Sequence, residues 1–246
     1  MKIQTLLASL LVSGAAMAQT PTMKPIVMKT PNEFYILAAS GNGKWACGTY
    51  SDYSNEQYGF LWNLETGEIE MLDPSKPSVA WAVSDDGLVV GTFEDSSYKS
   101  NGAAVELAGY WANGKWNRFE MPSDDVTSSG AASISPDGHY VTGNVQESGI
   151  YTGYIWKDGK IVKELPNTNC SMPYAIAPDG QSAAGWIERD NRTACLWEAD
   201  GEVTFLSEYQ SPWSSARKYT HDGKNLLYWG GWDDMEAENA SVYAIY

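Results

Sequence analysis

Histidine and cysteine are both scarce: the 246-residue chain has two histidines, His139 and His221, and three cysteines. Both histidines stand in or beside Asp-Gly turns, so neither a histidine-based triad nor a three-histidine metal centre can be assembled from them. Three cysteines cannot all pair. Cys47 and Cys195 fall in repeat units that are not neighbours, and Cys170 could reach Cys195 only if its loop folds back; the alternative is three small, buried free thiols. Cations are also few, with 16 Lys and Arg against 31 Asp and Glu and a formal net charge of -15. Such a surface repels phosphate backbones and anionic lipid, which argues against a nucleic acid or a membrane as partner. Long apolar runs are missing beyond the stretch from Leu6 to Val12. With Lys2 before it and Ala16-Met17-Ala18 after it, residues 1–18 read as a secretory signal peptide, too short to span a bilayer and without a cysteine to take a lipid. The mature protein, residues 19–246, is therefore expected as a single domain in the periplasm or outside the cell, and as a monomer.

What the chain has in quantity is turns, and they repeat. Gly43, Gly87, Gly138, Gly180 and Gly223 follow Asn42, Asp86, Asp137, Asp179 and Asp222 at steps of 44, 51, 42 and 43 residues. Two positions earlier in each unit stands a small residue: Ser40, Ser84, Ser135, Ala177 or Thr220. Asp-Gly between short apolar runs is a hairpin signal, because both residues accept a left-handed backbone. A second glycine follows on the next strand at Gly48, Gly91, Gly143, Gly185 and Gly230, and its uneven offset suggests bulges. The third strand carries Trp62, Trp111, Trp156, Trp197 or Tyr243, each preceded by three positions by Gly59, Ala108, Gly153, Ala194 or Ala240. Small residues opposite large rings are what close packing of neighbouring sheets needs.

These units, at about 32–74, 78–122, 129–166, 171–207 and 214–246, predict an all-β propeller of five four-stranded blades. The last unit ends after its third strand. Residues 22–30, with Pro31 closing them as Pro74, Pro122 and Pro166 close other outer strands, are expected to complete that blade and seal the ring. The pattern small-x-Ser-x-(Asp/Asn)-Gly, then Gly, then (Gly/Ala)-x-x-Trp resembles the bacterial extracellular-repeat (HAF) family over nearly all of the mature chain. The resemblance implies a secreted propeller-like protein and brings no catalytic residues with it.

In such a blade the Asp-Gly turns share one face and the long, dissimilar loops share the other, where binding residues are expected. Aromatics gather there: Tyr50, Phe93, Trp186 and Trp232 near the second glycine, and Trp81, Tyr174 and Trp213 on first strands. Rings beside carboxylates suit a sugar, the ring covering C–H faces and the acid accepting hydroxyl hydrogen bonds. Trp186, Trp213 and Trp232, with Glu188 and Asp233, are the candidate ligand-binding residues for a glycan or a protein. A glycoside-processing enzyme is the second reading, drawing a carboxylate pair from Glu94, Asp95, Glu147, Glu188 and Asp233. An assembly subunit with a flat apolar face is the third. The Asp-Gly turns lack the dense aspartate spacing of a calcium loop, so no metal and no cofactor is expected.

Overall fold

The computed structural model describes residues 33–51, 56–100, 102–166, 169–189, 191–206, 213–231 and 241–245. Four antiparallel sheets follow the chain in order. The first blade is β1 (Glu33–Ala39), β2 (Trp45–Ser51), β3 (Gln57–Asn63) and β4 (Ile69–Met71); the second is β5 (Ser78–Val83), β6 (Val89–Ser100), β7 (Ala103–Ala112) and β8 (Lys115–Arg118). The third is β9 (Val126–Ile134), β10 (Tyr140–Glu147), β11 (Ile150–Lys157) and β12 (Lys160–Glu164); the fourth is β13 (Ser171–Ile176), β14 (Ala183–Glu188), β15 (Arg192–Trp197) and β16 (Val203–Phe205). A fifth blade of three described strands, β17 (Trp213–Tyr219), β18 (Leu226–Gly231) and β19 (Ser241–Ile245), joins the fourth through one parallel bridge from Arg192 to Trp213. The architecture is a five-bladed β-propeller. Its expected outer strand at 22–30 and the expected signal peptide lie outside the described residues.

Each Asp-Gly turn is held by its own side chains. Asn42, Asp137, Asp179 and Asp222 accept hydrogen bonds from the backbone N–H two residues on, at 3.0–3.1 Å. The hydroxyls of Ser40, Ser84, Ser135 and Thr220 accept from the start of the second strand at 2.9–3.0 Å. Gly180 needs both its φ of 70° and its bare α-carbon, because a β-carbon there would lie 2.1 Å from the Tyr140 ring of the preceding blade.

The blades are joined by a second hydrogen bond that repeats around the ring. Gly59, Ala108, Gly153 and Ala194 donate their N–H groups to Ser78, Ser129, Ser171 and Ser214 of the following blade at 2.7–3.0 Å. All four serines are buried, so each bond closes a donor and an acceptor that water cannot reach. The small residue before each tryptophan thus lets the next blade's serine approach the chain. Trp156 and Trp197 are completely buried and donate to Glu120 O at 2.8 Å and Pro166 O at 3.0 Å, where the preceding blade's outer strand ends. Trp62 is buried as well, but its indole N–H has no partner among the described residues. The blade preceding it in the ring is the fifth, whose outer strand is the one expected from 22–30.

Candidate functional site

The innermost strands β1, β5, β9, β13 and β17 surround the axis, and each carries a β-bulge at the same place, β9 having a second register shift at Thr127. The skipped residues are Leu37, Trp81, Ala132, Tyr174 and Arg217, each six positions before its turn glycine. A bulge bends the strand and re-aims a side chain. Four of these five, Trp81, Ala132, Tyr174 and Arg217, line a single cavity of about 620 Å³ at the axis. Its wall is completed by Thr92, Glu106, Ser128, Asn144, Tyr151 and Met172, among others. A second cavity of about 360 Å³ adjoins it across Trp81, Thr92 and Glu106 and is also lined by Glu56 and Gln57.

The bulges explain the second glycine. Each bulge pushes a carbonyl of the inner strand toward the second strand, so a β-carbon on Gly91 would lie 1.9 Å from Val79 O and one on Gly143 2.0 Å from Gly130 O. The irregularity expected on the second strand is therefore on the first. Gly91 comes one residue early because its hairpin is a residue shorter, closing Ser84 to Leu88 where the first blade closes Ser40 to Trp45. Gly230, expected as the fifth member of the set, pairs instead with Ser214, and Tyr228 takes the equivalent position opposite Ala216.

The rings of the funnel are buttressed from behind. Arg217 stacks its guanidinium 4.4 Å from the Tyr174 ring centre, and Trp186 donates its indole N–H to Tyr174 Oη at 3.4 Å. Trp81 is 44% exposed and anchored through its indole N–H to Thr92 Oγ1 at 3.2 Å. Trp81 and Tyr174 thus both line the cavity, each pinned at its polar end. Such stacked cations contribute about 0.5–2 kcal/mol to holding a ring.

The expected ligand-binding residues divide. Trp186, expected as an exposed stacking ring, is only 7% exposed, with the Arg192 guanidinium 4.7 Å above it. Its position immediately after Gly185 sets the indole beneath Tyr174, so it supports the site from behind. Glu188 is exposed at the end of β14, where its N–H bonds Cys170 O at 2.8 Å, and it is not part of the funnel wall. Trp213 opens β17, but its side chain, Trp232 and Asp233 lie outside the described residues.

Of the carboxylates considered for catalysis, Glu94 pairs across the sheet with Glu106 of the cavity wall, Asp233 lies outside the described residues, and Asp95, Glu147 and Glu188 do not line that wall. Asp95 is buried beside Arg118, 3.1 Å from its guanidinium nitrogen, and accepts from Ser97. Burial alone would raise the Asp95 carboxyl, but Ser97 and Arg118 more than offset it and hold the group below the ordinary aspartate range. Glu147 accepts from the Ser123 hydroxyl at the rim. In the funnel wall the carboxylate is Glu106, which the sequence reading passed over because it stands beyond the long hairpin of the second blade. All three cysteines are free; Cys47 and Cys195 are buried and Cys170 is half-buried. Burial pushes the Cys47 thiol up to about 12 and raises that of Cys195 as well.

No protein-family profile matches the chain, and no curated protein matches it. The resemblance to the extracellular-repeat family rests on the motif. Solved structures do match in shape. A putative TolB from Agrobacterium tumefaciens is 16% identical with a TM-score of 0.58, over 88% of this chain and 83% of that one. The β-propeller domain of the Trilobed protease from Pyrococcus furiosus is 13% identical with a TM-score of 0.55, over 86% of this chain and 68% of that one. An oligogalacturonate lyase from Vibrio parahaemolyticus is 14% identical with a TM-score of 0.56, over 87% of this chain and 62% of that one. At these identities the likeness defines the fold, a β-propeller, and the chain spans less than two thirds of the lyase. Among the described residues no helix is long and apolar enough to cross a membrane.

Proposed function

We propose that the protein is a secreted, non-catalytic propeller that binds a glycan in the axial funnel of the long-loop face. The observation that carries this reading is the convergence of Trp81, Tyr174 and Arg217 from three bulges onto one cavity of about 620 Å³. That volume is within the roughly 300–1,000 Å³ range of small-ligand sites. Two pinned rings offer apolar faces to sugar C–H groups, while Asn144, Ser128, Thr92 and Glu106 supply donors and acceptors for hydroxyls. Trp213, Trp232 and Asp233, expected from the sequence as ligand contacts, are further candidates for a longer glycan. Among the described residues the wall holds one carboxylate, Glu106, where two-carboxylate hydrolysis needs a second.

Glycan-array screening of residues 19–246, followed by titration calorimetry on a hit, tests the reading. Trp81→Ala and Tyr174→Ala are each expected to weaken binding about tenfold or more, since a stacked ring is worth on the order of 1 kcal/mol beyond its buried area. Binding unaffected by both substitutions would place the ligand elsewhere. Turnover of a bound oligosaccharide that is lost in Glu106→Gln would establish the glycoside-processing enzyme instead, with Glu56 in the adjoining cavity as second carboxylate. Capture of a protein and no glycan would leave an assembly role.

A further inference from the structure

The opposite, turn-bearing face has a site of its own at the axis. Five positions before the turn glycine, the blades carry Ala38, Ala82, Ser133, Ala175 and Lys218. Four blades fold with a small residue there, so nothing in the repeat requires a lysine in the fifth. The lysine enters a cavity of about 70 Å³ whose wall comes from all five blades, including Val83, Ile134, Ile176 and Pro178. Among the described residues no Asp or Glu lines it. We propose that this cavity is a binding site for a small monovalent anion, of carboxylate or halide size, held by the Lys218 ammonium. The site lies on the face away from the funnel and does not depend on the glycan reading.

Three observations support it. First, the cavity sets Lys218 among the polar groups of Ser133, Tyr219, Thr220 and His221, and the ammonium has no ion-pair partner among the described residues; desolvation by the surrounding protein lowers its pKa. Lys218 is exposed, and an unpaired ammonium of this kind is stabilised by an anion brought beside it. Second, the other titratable groups around it do not supply that charge at neutral pH. Tyr219 and Cys47 are neutral, their pKa values each pushed up to about 12 by burial. Asp85 is engaged elsewhere: it accepts from Asn42 N–H at 2.9 Å and pairs with His221 Nε2 at 3.6 Å. Third, the volume suits a small ion. A water takes roughly 30 Å³ of liquid, so 70 Å³ admits two waters or one ion of about three heavy atoms. Part of the lysine side chain remains open to solvent, which gives the ion a path in. In a chain with net charge -15 such a site needs a local cation, and Lys218 provides it.

The mature chain, prepared in a sulfate buffer, is titrated with sodium formate and separately with sodium chloride at constant ionic strength, following thermal unfolding. A saturable rise in Tm with half-effect in the millimolar range is expected for the ion that fits, and sulfate at equal ionic strength should not reproduce it. Lys218→Ala installs the residue three other blades carry, so it should fold; it is expected to weaken the response at least about tenfold, as loss of a charge-assisted bond does. Lys218→Met keeps the side-chain bulk and should behave alike. The absence of a saturable response to both ions, or the same response in both variants, would overturn the proposal.

Discussion

Ser171→Ala isolates one joint of the ring. The hydroxyl accepts the Gly153 N–H at 2.7 Å, and Ser171 is wholly buried, with Gly153 buried opposite it. Alanine fills nearly the same space, so packing changes little; what is lost is the only partner this backbone donor has in that joint. A buried donor left unsatisfied costs about 1–3 kcal/mol. In a domain of this size each kcal/mol lowers Tm by roughly 2–4 °C, so a drop of about 4–8 °C is expected for a loss in the middle of that range. Urea unfolding followed by tryptophan fluorescence should show a lower midpoint at an unchanged m value. Ser96→Ala, at an exposed position, should stay within about 0.5 kcal/mol of wild type. Ser129→Ala and Ser214→Ala, whose bonds are 2.8 and 2.7 Å, should repeat the effect at the neighbouring joints. If Ser171→Ala is no more costly than Ser96→Ala, the joints are held by apolar packing alone and the repeated serine bond is incidental.

Gly91→Ala should cost about 3 kcal/mol or more, because its β-carbon would meet a backbone carbonyl at 1.9 Å and no side chain can yield; loss of soluble expression or a strongly lowered melt would show it. A thiol reagent at pH 8 should label Cys170 in the native protein and reach Cys47 and Cys195 only on unfolding, which counting labelled thiols by mass spectrometry checks. The depressed pKa of Asp95 means that its contribution is complete above the unfolded value near 3.9 and is lost as pH falls through the lower folded value. Asp95→Asn, which leaves Arg118 facing a neutral amide, should therefore be about 1–3 kcal/mol less stable at pH 7, with the gap to wild type closing in acid.

Blade number, strand order and turn chemistry were legible in the sequence because each depends on local residues at fixed offsets. Asp-Gly with a serine three residues before the glycine specifies a hairpin with nothing else in view, and the structure builds those turns as the side chains dictate. The serine that joins neighbouring blades was equally legible and went unread. It stands nine positions before the turn glycine at Ser78, Ser129, Ser171 and Ser214, with Phe34 in the first blade. Its meaning depends on a partner about twenty residues away across a sheet boundary, which no local pattern reveals. The site was harder still. Trp186 and Tyr174 both belong to the long-loop side by sequence, and only the bulge decides that Tyr174 lines the cavity while the tryptophan packs behind it. A bulge leaves no mark at the bulged residue itself, since Leu37, Trp81, Ala132, Tyr174 and Arg217 share no chemistry.

That lack of shared chemistry has an evolutionary consequence. The bulge is accommodated by a glycine on the adjacent strand in four blades, so the bulged residue's own side chain is under little obligation to the fold. Five positions around one axis can then mutate separately, each trading an aliphatic, aromatic or cationic group without disturbing blade closure. On the glycan-binding reading proposed above, single substitutions at the mouth change what such a scaffold recognises while its stability stays with the serines, tryptophans and glycines behind. Swapping the five residues as a set between propellers of this repeat type would move specificity in one step, and randomising them would give a binder library on a frame that already folds.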